Sequence, residues 1–538
     1  MIGRIAGLLA GVFASFAVAQ EPLRESLDVE VTTLTVVVTD AKGHPVRGLS
    51  RRDFEVLEDG KRREITNLSE YARQADGSGP APRLVMLVID NSGLTIGGRK
   101  AVLDAVRGAL EELIRPGDRL MIATLTRTVA PRLRWTGSHA EIERALEEIE
   151  SDAMVAGGSL ADFEKRLRDA VTDARVMQAR GIPGGRIDTV MAAGREYGRA
   201  ATFEVRQAIA SIAGALNFFG PSDHRKAVIL VGGGLAVRPA AGAFQMIQNL
   251  RDDPDGGGGA SRVPGVAQGV PLGDAAAFDV SAELRELASI AARKGIALYG
   301  WIPDLDRSAE RSDSRAGSST VQFATESTRI DGYQMLAAAT GGAVFAAVPP
   351  RETAGRIVAD LDAYYSLGFR PSGRADAKLV VKGPRGTRVR FSRGAVSPSP
   401  ELQVAERVIA NHLAGPESSE LPIALHAAAP PAATPDGRKV PLRILIPVRS
   451  LTLQKEGGEW TGGFSVFVSM GDASGSASPP NRQTHQIRWP DAMMEQMRER
   501  TIGFAVDVVL VEGRTQISVG VLDQRSGKAG YSVLKVGG

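Results

Sequence analysis

From Arg83 to Phe369 the chain alternates short, unbroken apolar runs with amphipathic stretches, and this pattern constrains the fold more tightly than any other. A run such as Leu84-Val85-Met86-Leu87-Val88-Ile89 lacks polar alternation, so as a strand it must be covered on both faces. Leu120 to Leu125, Ala227 to Val231 and Ile296 to Trp301 repeat that character. Between them, apolar residues fall at helical spacing. Val102, Leu103, Val106, Leu110, Leu113 and Ile114 form one stripe, stopped by Pro116-Gly117. Ser138 and Glu141 form a capping-box signal ahead of Ile142, Ala145, Leu146 and Ile149. A further stripe carries Val205, Ile209, Ile212, Leu216 and Phe219. Helices over 281–294, 331–339 and 352–363, with strands over 343–348 and 364–369, continue the alternation. Such a succession predicts a doubly wound, mainly parallel sheet over 83–371.

Two stretches interrupt it. Residues 151–200 read as a helical insertion, while 237–280, with Asp255 followed by four glycines, reads as a mobile loop. Residues 305–328 are polar and Ser-rich and read as a disordered excursion. Ahead of the sheet, 27–72 is β-rich and reads as a β-sandwich-like module. Within it, Phe54 to Leu57 and Arg63 to Thr66 flank Asp59-Gly60, a type I′ turn signal. A Gly, Ser and Pro-rich linker covers 74–82. Behind the sheet, 372–398 reads as a β-hairpin extending the domain edge, around Gly383 to Gly386. Strand-like runs at Leu442 to Ile446, Phe464 to Val468, Phe504 to Leu510, Ile517 to Leu522 and Tyr531 to Val536 make 420–538 a C-terminal β-sandwich. The expected class is therefore multidomain α/β plus all-β.

Bulk properties exclude several functions. In 538 residues, 65 basic and 62 acidic side chains nearly cancel, and no basic stripe concentrates the excess, which argues against a nucleic-acid binder. Cysteine is absent, removing disulfides, thiolate metal sites and a cysteine nucleophile. Residues 1–19 read as a signal peptide, with Arg4, an apolar run from Ile5 to Phe16, and an Ala17-Val18-Ala19 cleavage site. That run is shorter than the roughly 20 residues a spanning helix needs. The mature chain is thus expected to be periplasmic or extracellular, with no transmembrane segment.

At the end of the first apolar strand stands Ile89-Asp90-Asn91-Ser92-Gly93-Leu94-Thr95. This strand-end Asp-x-Ser, set in that order of elements, resembles von Willebrand factor A (vWA) domains, whose metal-ion-dependent adhesion site begins Asp-x-Ser-x-Ser. The leading Leu-Thr-Val-Val-Val-Thr-Asp, the Phe-Glu-Val-Leu-Glu-Asp-Gly segment and Tyr364-Tyr365-Ser366-Leu367-Gly368-Phe369 resemble the bacterial vWA-related family first recognised in Acidobacteria. The resemblance spans roughly 27–395 and implies a binding rim at the carboxyl ends of the strands, where Mg²⁺ or Ca²⁺ would accept oxygen ligands. It assigns Asp90, Ser92 and Ser159 to the metal, and Asp90, Asn91, Ser92, Thr95, Ser159 and Gly233 to partner binding.

The motif is degraded. Leu94 stands where the second serine belongs, and Thr95 is one residue out of register. Gly232-Gly233-Gly234 stands where the resemblance places an acidic residue, so cofactors are expected to be none, or at most weakly held Mg²⁺ or Ca²⁺.

Other signals fail. Gly520 to Lys528 has the wrong spacing for a phosphate loop, Asp253 to Gly256 lacks the remaining ligands of a calcium loop, and the six histidines show no zinc spacing. No G-x-S-x-G elbow and no nucleophile with an ordered base is found. The expectation is a non-catalytic, adhesion- or scaffold-like protein with an unknown protein partner in the envelope or outside the cell. A cell-envelope enzyme with chemistry in the insertions or C-terminal region, or a structural envelope component, is the alternative.

Overall fold

The computed structural model describes residues 32–72, 82–91, 96–152, 160–180, 187–220, 224–252, 276–303, 319–372, 377–393, 400–415, 419–472 and 477–536. The expected signal peptide, most of the 74–82 linker, Ser92, Thr95, Ser159, and the loop portions 253–275 and 304–318 lie outside the described residues.

The chain begins with β1 (Thr32–Thr39), β2 (Glu55–Glu58), β3 (Lys61–Arg63) and β4 (Ile65–Ala72). β2 and β3 pair antiparallel across Asp59 (φ 50°) and Gly60 (φ 78°), the doubly positive geometry that an Asp-Gly hairpin turn adopts. The central part follows as β5 (Arg83–Asp90), α1 (Ile96–Leu113), β6 (Arg119–Leu125), β7 (Val129–Thr136), α2 (His139–Ser151), α3 (Leu160–Ala179) and α4 (Ile187–Ala215). It continues through β8 (Arg225–Val231), α5 (Ala241–Asp252), α6 (Ser281–Arg293), β9 (Ile296–Ile302), α7 (Ser319–Thr340), β10 (Val344–Ala346) and α8 (Pro350–Asp362).

Six strands form one sheet in the order β10-β9-β8-β5-β6-β7, parallel except for β7, which runs antiparallel along β6. Every residue of β5 is buried, as a strand covered on both faces requires. One face packs on α1, α2 and α8 through Val102, Leu110, Ile142, Leu146 and Ile357. The other packs on α4, α6 and α7 through Ile209, Ile212, Leu284, Tyr333 and Leu336. From β5 the chain moves outward to β6 and β7, then returns to the other side of β5 at β8. The switch point therefore lies between β5 and β8, and in open α/β sheets the crevice at the carboxyl ends of such strands is where ligands bind.

Four expectations are corrected. The segment 364–369 does not join the parallel sheet: β11 (Ala363–Phe369) pairs antiparallel with β1 and β4. The 372–398 segment is not a hairpin on the domain edge. β12 (Leu379–Lys382) pairs with β2, and β13 (Arg388–Arg393) pairs with β1, so its two strands enter different sheets. The N-terminal module is thus a layered unit of β13-β1-β11-β4 and β12-β2-β3, closed around Leu34, Val36, Phe54, Val56, Tyr365, Leu367 and Phe369. Strands from 363–393 thus supply partners to both β1 and β2.

The remaining corrections concern helices. The 151–200 insertion has no boundary at 200, because α4 runs unbroken into the core stripe that contains Ile209 and Ile212. The loops expected over 237–280 and 305–328 include α5 and the first part of α7. α3, α4 and α5 share a satellite core of Leu167, Val171, Val190, Phe244 and Ile247.

An unforeseen helix, α9 (Pro400–Ala414), leads into the C-terminal part. Its Val404 and Val408 pack on Phe467 and Leu522, and the Lys294 ammonium pairs with Glu406, tying it to the α/β domain. Beyond it come β14 (Ala424–Ala427), β15 (Ala432–Thr434), β16 (Gly437–Pro447), β17 (Gln454–Glu456), β18 (Glu459–Gly471), β19 (Asn481–Pro490), α10 (Asp491–Arg498), β20 (Thr501–Leu510), β21 (Gln516–Asp523) and β22 (Ala529–Lys535). β16 pairs with β14, β15 and β20; β18 pairs with β17, β19 and β21, which pairs with β22. Ile444, Ile446, Phe464, Val466, Val519 and Val521 fill the space between the two sheets. Among the described residues no helix is long and apolar enough to cross a membrane.

Candidate functional site

β5 ends at Asp90, which is 1% exposed, and the next amide, Asn91, donates to Leu125 O at 2.7 Å, extending the β5–β6 ladder to the rim. On the other side of β5, the Gly232 amide donates to Trp301 O at 3.0 Å. There β8 turns over Asp90. A Cβ on Gly232 would stand 2.8 Å from Asp90 Cβ and 2.9 Å from Asp90 O, and its φ of 155° is one that side chains rarely adopt.

Two residues later, Gly234 (φ 92°) crosses α7. A Cβ there would stand 2.7 Å from Arg329 O. Between them, half-buried Gly233 faces the Arg329 guanidinium, whose Nη1 would lie 3.5 Å from an added Cβ. The triple glycine is therefore a spacer that lets one backbone run pass between the end of β5 and the side of α7. It brings Asp90 and Arg329 to one rim.

Tyr333, one turn further along α7, completes the cluster. Its ring lies over Gly300 of β9, where a Cβ would meet Tyr333 Cδ2 at 2.5 Å. Burial raises its hydroxyl well above the usual tyrosine range and the negative charge of Asp90 adds to this, while the Gly234 amide donating to the hydroxyl and the Arg329 charge oppose it. The hydroxyl stays protonated at any physiological pH. Arg99, in the first turn of α1, is also buried, and its Nη1 donates to Asp152 O at 3.0 Å where α2 ends. The Asn91 Oδ1 is buried and makes no hydrogen bond with the described residues.

Of the residues that the sequence nominates, Asp90, Asn91 and Gly233 come together at this rim. Ser92, Thr95 and Ser159 lie outside the described residues. Arg329 and Tyr333 were missed, since Arg329 follows the stretch read as a polar excursion and Tyr333 looks like an ordinary member of an apolar helical stripe. Only the spacing of Tyr333, Leu336, Ala337 and Thr340, continued backward by one turn to Arg329, carried the signal.

A hard divalent cation needs a set of oxygen ligands with net negative charge. Among the described residues no group of three or more histidine, cysteine, aspartate or glutamate side chains could hold a metal ion. At the rim the Arg329 guanidinium lies beside Gly233 and the buried Asp90 beside Gly232. Three of the oxygen donors that the sequence nominates, Ser92, Thr95 and Ser159, lie outside the described residues.

No protein-family model matches the chain, and no curated protein matches it. Solved structures do align with it. An aerotolerance-related membrane protein of Bacteroides fragilis NCTC 9343 aligns at 11% identity and a TM-score of 0.25, covering 52% of this chain and 98% of that one. A von Willebrand factor type A protein of Catenulispora acidiphila aligns at 11% identity and a TM-score of 0.25, covering 90% and 72%. The manganese-loaded TRAP protein of Plasmodium vivax aligns at 9% identity and a TM-score of 0.20, covering 71% and 91%. Superpositions this loose carry no argument about function, and the doubly wound architecture rests on the strand order and registers themselves.

Proposed function

We propose that this chain is an exported, non-catalytic protein of the vWA-related kind that binds a protein partner, in an adhesion- or scaffold-like role, through the rim where β5 and β8 end. One observation carries the reading: Asp90, Gly232 to Gly234 and Arg329 meet at the switch point of a rigid sheet. Loops held there by buried strands form a prearranged surface. The rim offers hydrogen-bonding and charged groups, and the described residues supply it with no nucleophile ordered by a base. Export rests on the N-terminal Arg4, the apolar run and Ala17-Val18-Ala19.

The test is capture of envelope proteins by the purified chain and by Gly233→Trp. An added Cβ at Gly233 meets Arg329 at ordinary contact distance, so the variant should fold while covering the rim. The expected result is a specific partner retained by the wild type and lost by the variant. A partner held equally by both would place binding elsewhere.

A further inference from the structure

We infer that the open edge of β20 binds β20 of a second copy of this chain, antiparallel about a two-fold axis at Ala505, so that two C-terminal sandwiches join in a dimer. The surface lies in the C-terminal part and is independent of the rim proposed above.

The backbone at that edge lacks partners. β20 pairs with β16 on one side, and among the described residues no strand pairs with it on the other. In an antiparallel pair, successive residues turn their N–H and C=O alternately toward the partner and away from it. Here β16 sets the phase. Pro441 O accepts from Ala428 N at 2.7 Å, facing away from β20, while Val448 N donates to Arg500 O at 3.0 Å. Asp507, opposite Pro441, therefore turns its backbone groups outward, as do Thr501, Gly503, Ala505 and Val509. Both prolines of β16, Pro441 and Pro447, fall opposite residues of this set, where β16 donates nothing to β20.

The edge is also unguarded. Edge strands that stay single carry charges, prolines or bulges that block further pairing. β19, an edge of the other sheet, has Arg482, Arg488 and Pro490. β20 has one charge, Asp507, no proline, and a register with β16 that runs unbroken from Thr501 to Leu510. Ile502, Phe504 and Val506 of its inward row are only half-buried, which leaves apolar surface at the edge.

Self-pairing suits this sequence. A two-fold axis at Ala505 sets Thr501 against Val509 of the second copy and Gly503 against its Asp507, all with outward backbone groups, for about ten hydrogen bonds. The same register sets Ile502 against Val508 and Phe504 against Val506, so the half-buried row covers itself. Asp507 never meets its own counterpart. It arrives at Gly503, where the Nε of exposed Arg443 lies 3.6 Å from the place of a Cβ, and these two charges are opposite.

The experiment is sedimentation velocity of the purified chain, loaded from about 1 to about 100 µM. The wild type should pass from monomer to dimer across that range. Ala505→Pro removes one outward N–H, and Gly503→Asp sets aspartate against aspartate twice. Each should weaken association by about tenfold or more while keeping a cooperative urea transition. Because the chain has no cysteine, Ala505→Cys alone should form an inter-chain disulfide on mild oxidation. Thr501→Cys should not crosslink to itself, yet should crosslink to Val509→Cys when the two are mixed.

A wild type that stays monomeric throughout, as it would if the edge served a strand of a different protein, overturns the inference. So does a dimer that Ala505→Pro and Gly503→Asp both leave intact, or a disulfide that forms in Thr501→Cys alone and not in Ala505→Cys.

Discussion

Acid should weaken the C-terminal part through one side chain, His412. It lies on α9, 1% exposed, with its ring against the backbone of β18, where a Cβ on Gly471 would stand 2.6 Å from His412 Cγ. Its Nε2 lies 3.2 Å from Ser469 Oγ. Burial lowers its pKa from 6.5 to about 4; Arg514 pushes the same way, while Gln516, Asp472 and Ser469 oppose. A base with a lowered folded-state pKa stabilises the fold fully above its free value and loses that contribution as pH falls toward the folded one. The window is therefore pH 6.5 down to about 4. At about 1.4 kcal/mol per unit, the loss at the bottom of the window is about 3 kcal/mol. The assay is urea unfolding at a series of pH values, read by hydrogen-exchange pulse labelling of peptides from β18, for the wild type and His412→Gln. Carboxylates titrating in the same range affect both proteins, so the difference between their slopes isolates the histidine. Equal slopes would refute the reasoning.

Two further outcomes follow from charge placement. At the base of β5, Arg83 is 1% exposed and donates from its backbone amide and Nε to Asp118, each at 3.0 Å, while its Nη1 ion-pairs with Asp362 at 3.3 Å. Asp118→Ala leaves that buried guanidinium with Asp362 as its remaining acidic partner and should cost about 3 kcal/mol, measured as the urea midpoint of peptides from β5; a loss below about 1 kcal/mol would contradict it. At the rim, titration calorimetry with Mg²⁺, Ca²⁺ and Mn²⁺ should give no saturable heat, and a one-to-one micromolar isotherm that Asp90→Ala removes would show that the rim holds a metal.

Much of the central fold was legible because burial leaves its mark on local sequence. The unbroken apolar run from Leu84 to Ile89 could only be a strand covered on both faces, and the stripe from Val102 to Ile114 could only be a helix packed on one side. Edge strand β7 was not legible. Its exposed and half-buried residues alternate, with Pro131 and two arginines among them, and its pairing with β6 is irregular. α9 was hidden for another reason: its Val404 and Val408 serve a small satellite core, a short apolar signal behind Pro400.

At the site, the sequence by itself determined that Asp90 ends a buried strand and that three glycines follow β8, because both facts are local. It also determined the covered character of 364–369. It did not determine the partner of that strand, since periodicity records which faces are buried and is silent about what covers them. Only the tertiary structure sent β11 to β1 and β4 and delivered Arg329 to the rim. Those outcomes depend on contacts between segments far apart in the chain: glycine backbone passing within van der Waals contact of Asp90 on one side and α7 on the other. The same closeness is why Gly232 and Gly234 need glycine, a requirement visible in sequence only as composition.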